Sequence, residues 1–315
     1  MPSKSEITEQ LARESDWRRR LSVPAFACGF LYLLSGITIS ETLKGAPTVG
    51  LLQGIEPALS GVANPTVSPR AAEVKFISQH SLPLIAGSVL AGVAIAGLTL
   101  VLLLLVNATR FRRPESWRAA RPLVLFGGAA VALVSVGHQV VSALLTHHFV
   151  VGSDFSGHAV ELALTKGTAN VVSDYLDLAA GFALAAGMIV TMLGAMRVGL
   201  LVRWVGVLGI ITGVLIFLPI GGATLELVPA FWLVTMGMLC AERWPGGDPP
   251  AWTSGEARPW PSRVEQRAAR QAGEGETLAG TGVGGGGATP LGGAVNGASG
   301  KRRRKRGARS GEGQR

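Results

Sequence analysis

The stretch PLIAGSVLAGVAIAGLTLVLLLLV (83–106) contains no charged residue, and the segment that follows it, NATRFRRPESWRAAR (107–121), contains five arginines. A helix rises about 1.5 Å per residue and the bilayer hydrocarbon is about 30 Å thick, so about 20 apolar residues make one crossing. The first stretch is long enough to span, and the second marks where that span ends. The arginines also give the span a direction, because lysine and arginine collect in cytoplasmic loops.

The same criterion selects six segments along the chain: 21–40, 83–106, 122–146, 178–196, 204–220 and 225–241. Composition agrees. Of 315 residues, 48% are hydrophobic and 16% charged, with a mean hydropathy of +0.38. Soluble domains carry about 25% charged residues, so the composition argues against an ordinary water-soluble fold. The first segment follows Arg18, Arg19 and Arg20, as a signal peptide would, but twenty residues precede it and no small-x-small site closes it. It reads as an uncleaved anchor. If 1–20, 107–121, 197–203 and 242–315 are cytoplasmic, they hold 25 of the 29 Lys+Arg, leaving Lys44, Arg70, Lys75 and Lys166 outside. Trp17, Trp117, Trp204 and Trp244 fall at the same boundaries, where amphipathic rings anchor. The expected fold is an all-α polytopic membrane bundle of six transmembrane helices with both termini cytoplasmic. The net charge of +9 thus speaks of orientation and not of a nucleic-acid partner.

Four regions follow: a cytoplasmic segment at 1–20, the six-helix domain at 21–241, a Pro/Trp-rich cytoplasmic segment at 242–272, and a glycine-rich basic tail at 273–315. Ser3 and Glu6 have the spacing of a capping box, so 1–20 predicts a short helix leading into the first span. The loop 41–82 predicts short helical pieces, and 158–165 one or two interfacial turns. Ser262 with Glu265 opens a brief helix. The tail is too rich in glycine for a packed core and is expected to be disordered. Small residues recur every fourth position at Ser88, Gly92 and Ala96, at Ala183, Gly187, Thr191 and Ala195, and at Gly209 and Gly213. Such stripes let helices approach closely in lipid.

Candidate chemistry is sparse. Cys28 and Cys240 are the only cysteines, without metal-ligand spacing, so disulfide scaffolds and zinc domains are excluded. His138 falls inside the third span, where an ionisable side chain is costly and defaults to a functional reading. Gln139, Asp177 and Glu226 are its possible partners on a substrate path; packing glue between helices is the plainer role. His147, His148, Asp154 and His158 are a weaker metal set, imidazole with carboxylate suiting a divalent transition metal. Arg112, Arg113 and the run Lys301, Arg302, Arg303, Arg304, Lys305 and Arg306 are candidates for contact with anionic lipid. A Gly-Ala-Ser-Gly at 297–300 and a glycine run at 284–287 imitate catalytic and phosphate motifs without the context either needs.

The stretches MRVGLLVRWVGVLGIITGVLIFLP (196–219) and VPAFWLVTMGM (228–238) resemble the closing hairpin of bacterial six-span membrane proteins grouped as a domain of unknown function. There an arginine–tryptophan pair opens the fifth helix and an aromatic-tryptophan-leucine sequence sits within the sixth. The segments PGGDPPAW (245–252) and GEARPWPS (255–262), with the basic end, also resemble membrane proteins of actinobacterial type. The resemblance covers roughly 21–262 and brings no catalytic or binding residue with it. It implies a multi-pass protein of a bacterial plasma membrane. The expected role is non-enzymatic, structural, regulatory or interactive, with a small-solute or ion transporter as the alternative. No cofactor or nucleic acid is expected. The expected partners are the bilayer, anionic head groups at the basic segments, and another membrane protein or a second copy.

Overall fold

The computed structural model describes residues 3–50, 59, 61, 67–152, 154–218, 223–245 and 247–259. Contacts divide the chain at residue 260, and every described residue belongs to the first unit. The expected helix at 262–265, the glycine-rich tail and the run Lys301 to Arg306 lie outside the described residues.

Among the described residues the structure is helical without strands. In chain order the elements are α1 (Lys4–Leu43), α2 (Ala71–Gln79), α3 (Ser81–Arg112), α4 (Ala120–Gly152), α5 (Gly157–Glu161), a π-helical turn (Leu162–Lys166), α6 (Thr168–Val198), α7 (Arg203–Phe217), α8 (Ala223–Cys240) and α9 (Pro250–Ser254). Helix α1 begins where the sequence says. Ser3 accepts from the Glu6 amide, and the Glu6 carboxylate accepts from the Ser3 amide at 2.7 Å. It then runs unbroken through Pro24, so the expected short helix and the first span are one rod of 40 residues. Helix α6 starts ten residues before the apolar run at 178.

Four helical stretches are long and apolar enough to cross a membrane: α1, α3, α4, and the run from Gly157 to Val198. Helix α7 and the 226–240 part of α8 are apolar but shorter. Helix α7, with 15 residues, extends only about 22 Å. It stops at Phe217 because Leu218 turns extended (φ −84, ψ 117), as the residue before a proline prefers.

The six principal helices close a ring: α1 packs on α3, α3 on α4, α4 on α6, α6 on α7, α7 on α8, and α8 returns to α1. An additional contact between α3 and α6 fills the middle. Inside lie Leu98, Leu102 and Leu105 of α3, Leu184, Met188 and Met192 of α6, and Trp232 and Met236 of α8, all without solvent exposure. Outside, each ring helix presents large apolar side chains, among them Phe30, Val93, Phe126, Phe182, Ile211 and Phe231. An apolar exterior over an apolar core is what lipid demands and water forbids.

Helices α4 and α6 approach closely. A Cβ at Gly127 would lie 2.5 Å from the Leu184 amide nitrogen, and one at Gly187 would lie 2.9 Å from the Val124 nitrogen. Neither position admits a side chain while the backbones stay this close. The Gly187 stripe therefore does what small residues do in lipid.

Candidate functional site: the arginine-rich end of the bundle

Helix directions alternate round the ring, so the start of α1 meets the ends of α3, α6 and α8. At this end the chain after α8 folds back. Arg112, in the last turn of α3, points inward. Its guanidinium donates to Glu14 through both terminal nitrogens (2.9 and 2.7 Å), to the Ala251 carbonyl at 2.8 and 3.1 Å, and to the Ala108 carbonyl at 2.9 Å. The two charged side chains are 0% and 4% exposed. This corrects the expectation that Arg112 meets lipid: a carboxylate 98 residues away has sealed it inside.

A second pair lies beside the first. Arg18 holds Asp248 at 3.1 Å and donates to the Leu239 carbonyl at 2.6 Å. Trp252 completes the cluster. Its indole N–H donates to the Leu200 carbonyl at 2.9 Å, and its ring lies 4.7 Å from the Arg18 guanidinium carbon and 5.5 Å from that of Arg112. Two cations sharing one indole face set is a favourable use of the ring quadrupole. Short helix α9 is thus clamped, and the chain continues alongside α6, where the Arg258 amide donates to the Val198 carbonyl at 3.1 Å. Gly199 adopts φ +81, and the Arg258 carbonyl occupies the place a Cβ would take. Segment 242–259 is therefore a folded part of the bundle. Sequence reasoning gave it no structure; the signal was a tryptophan and an aspartate framed by prolines, PGGDPPAW.

Next to this clasp a cavity of about 400 Å³ opens between α3, the 113–119 turn, the start of α4 and α6. Arg110, Arg113, Glu115, Ser116 and Trp117 line it with Thr109, Val106, Ile189, Leu193 and Arg197. Arg113 is exposed here. Sequence reasoning missed Arg110 and Arg197 as its companions.

The other expected sites are distributed differently. His138 Nδ1 lies 3.6 Å from Asp174 Oδ1, an ion-pair distance for a protonated ring and too long for a hydrogen bond. Asp177 stands one turn further along α6. Gln139 is half-buried on α4. Glu226 is elsewhere: its carboxylate lies against Gly36 of α1, and Oε2 is buried without a hydrogen-bond partner. The structure brings His138 to Asp174, a residue outside its expected partners, and places Glu226 on another helix pair. His147, His148, Asp154 and His158 are exposed, and among the described residues no three His, Cys, Asp or Glu side chains could hold a metal ion. Asp154 instead closes a turn. Its carboxylate accepts from the Ser156 amide at 3.0 Å, and that bond, chiefly, holds its pKa below the ordinary aspartate value. No protein-family model, no curated protein and no solved structure matches the chain.

Proposed function

We propose that the protein is a six-span, non-enzymatic component of a bacterial plasma membrane, with both termini cytoplasmic and a structural or regulatory role exercised through its cytoplasmic face. The observation that carries this reading is the clasp of Glu14, Arg112, Arg18, Asp248 and Trp252. It makes the chain after the last span part of the bundle, so whatever follows residue 259 leaves from a fixed point. The distribution of lysine and arginine supports the orientation, and the resemblance of 196–219 and 228–238 to bacterial six-span proteins supports the membrane.

Cysteine labelling in intact cells tests the topology, because the native Cys28 and Cys240 are both buried. Single cysteines at positions 50 and 154 are expected to react with an impermeant maleimide, and one at 257 only after permeabilisation. Equal reaction at 50 and 257 overturns the six-span reading. Removing 260–315 is expected to leave thermal unfolding unchanged while altering localisation or crosslinked neighbours. Loss of the folded bundle, or no change in either readout, overturns the role.

A transporter is the second reading, favoured by the unpartnered Glu226 oxygen within an apolar helix. Intramembrane carboxylates of this kind mark ion and proton paths. It predicts that E226Q abolishes ion-coupled flux in proteoliposomes; absence of any flux through the native protein removes the reading.

A further inference from the structure

We propose that the cavity between the ends of α3, α4 and α6 binds the phosphate of an anionic glycerophospholipid. The inference rests on the membrane-spanning reading above, and not on which face is cytoplasmic.

The first observation is charge without compensation. Arg110 and Arg197 lie in the last turns of α3 and α6, and Arg113 follows directly; all three line the cavity. The neighbouring Arg112 is fully paired, yet among the described residues these three make no ion pair. Glu115 is the single acidic side chain among the lining residues. Guanidinium groups bind phosphate through paired, charge-assisted hydrogen bonds.

The second observation concerns hydroxyls. Thr99, Thr146, Thr191, Thr212 and Thr235 each donate to the carbonyl four residues back. Thr109, only 4% exposed, does not: its Oγ1 is buried and unpartnered. Ser116 Oγ, also in the lining, is likewise without a partner. A buried hydroxyl left unsatisfied costs free energy, and an anionic oxygen in the cavity would accept from such donors.

Depth and shape specify the lipid. Thr109 and Arg110 stand three and four residues beyond Val106, the end of the uncharged run, hence about 5–6 Å further along the helix. The headgroup layer occupies about 5–8 Å on each side of the hydrocarbon. The wall on the other side is Val106, Ile189, Val190 and Leu193, an apolar track of the kind an acyl chain follows. A free phosphate would use the arginines and leave this wall bare.

The test uses purified full-length protein, delipidated and exposed to vesicles of phosphatidylglycerol or of phosphatidylcholine, with bound lipid read by native mass spectrometry. Retention of phosphatidylglycerol over phosphatidylcholine is expected. Each surface arginine contributes roughly fivefold to anionic-lipid binding, so R113Q/R197Q is expected to lose about 25-fold. Both side chains are at exposed positions, so the variant leaves no buried charge. T109V keeps the shape, removes the hydroxyl, and is expected to lose about threefold. R118Q/R121Q removes the same charge outside the cavity and is expected to retain the lipid within twofold. Equal loss in R118Q/R121Q, or loss below fivefold in R113Q/R197Q, overturns the site while leaving membrane insertion intact. Inorganic phosphate alone is expected to compete poorly; displacement of the lipid by an equal concentration of phosphate assigns the cavity to a soluble phosphate ester and overturns the lipid.

Discussion

Replacing Arg112 by alanine is expected to release the segment 242–259 from the end of the bundle. The native guanidinium satisfies two oxygens of Glu14 and two main-chain carbonyls while having no exposed surface. Its loss leaves the Glu14 carboxylate, 4% exposed, with only the 3.0 Å bond from Gln10, and leaves the Ala251 carbonyl with only the Gly255 amide at 3.2 Å. Removing one partner of a buried ion pair typically costs about 3–5 kcal/mol. Since 1.4 kcal/mol is tenfold, the undocked fraction is expected to rise about 10²- to 10⁴-fold. A protease site inserted after Glu256, in reconstituted protein, reads this directly when reclosing outpaces cleavage, because the rate then tracks the open population. Two controls set the scale. R13A breaks the exposed pair of Arg13 with Glu9, with side chains 72% and 66% exposed, and such pairs are worth about 0–1 kcal/mol. E14L/R112M removes both charges, so no unpaired ion remains, and is expected to be cleaved at least tenfold more slowly than R112A. Cleavage of R112A no faster than R13A, or of E14L/R112M as fast as R112A, would refute the reasoning and leave Trp252 packing as the fastening.

Two further perturbations probe other parts of the fold. At Gly137 of α4 a Cβ meets nothing within 4 Å, whereas at Gly127 it meets the α6 backbone at 2.5 Å; G137A is expected to raise the unfolding temperature, as alanine gains about 0.5–1 kcal/mol over glycine in a helix, and G127A to lower it. The Asp154 turn is expected to depend on pH: a carboxyl whose folded pKa is depressed gives its full stabilisation above the ordinary value of 3.8 and loses it as pH falls through the lower folded value. Hydrogen exchange at the Ser156 amide is therefore expected to accelerate, relative to its intrinsic rate, below that range in the native protein, and D154N is expected to abolish the pH dependence.

Periodicity and composition carried the helices, and the reasons are local. An uncharged run such as 83–106 has few alternatives to a buried or lipid-facing helix, and the Ser3 and Glu6 cap needs only neighbours three residues apart. The small-residue stripe at Gly187 was equally legible, because spacing alone places it on one face. The clasp was not. Glu14 finds Arg112 across 98 residues and Arg18 finds Asp248 across 230, and no window of sequence contains both members. Charge counting by segment treats Arg112 and Arg113 alike, yet one is sealed in a salt bridge and the other opens on a cavity, because Arg112 is the last residue of the helix while the backbone leaves it at Arg113 (φ −144, ψ 89). The orphaned hydroxyl of Thr109 was also out of reach, since its peers satisfy themselves within their own helix and its failure to do so is visible only in three dimensions.

The closed ring places α8 beside α1, a helix that is made well before it. During synthesis Arg18 therefore waits with its charge uncompensated until Asp248 emerges, and Glu14 waits for Arg112. A chain interrupted anywhere between residues 121 and 247 keeps Arg18 without its partner at the membrane surface. The clasp therefore closes only once the chain has been made through Asp248.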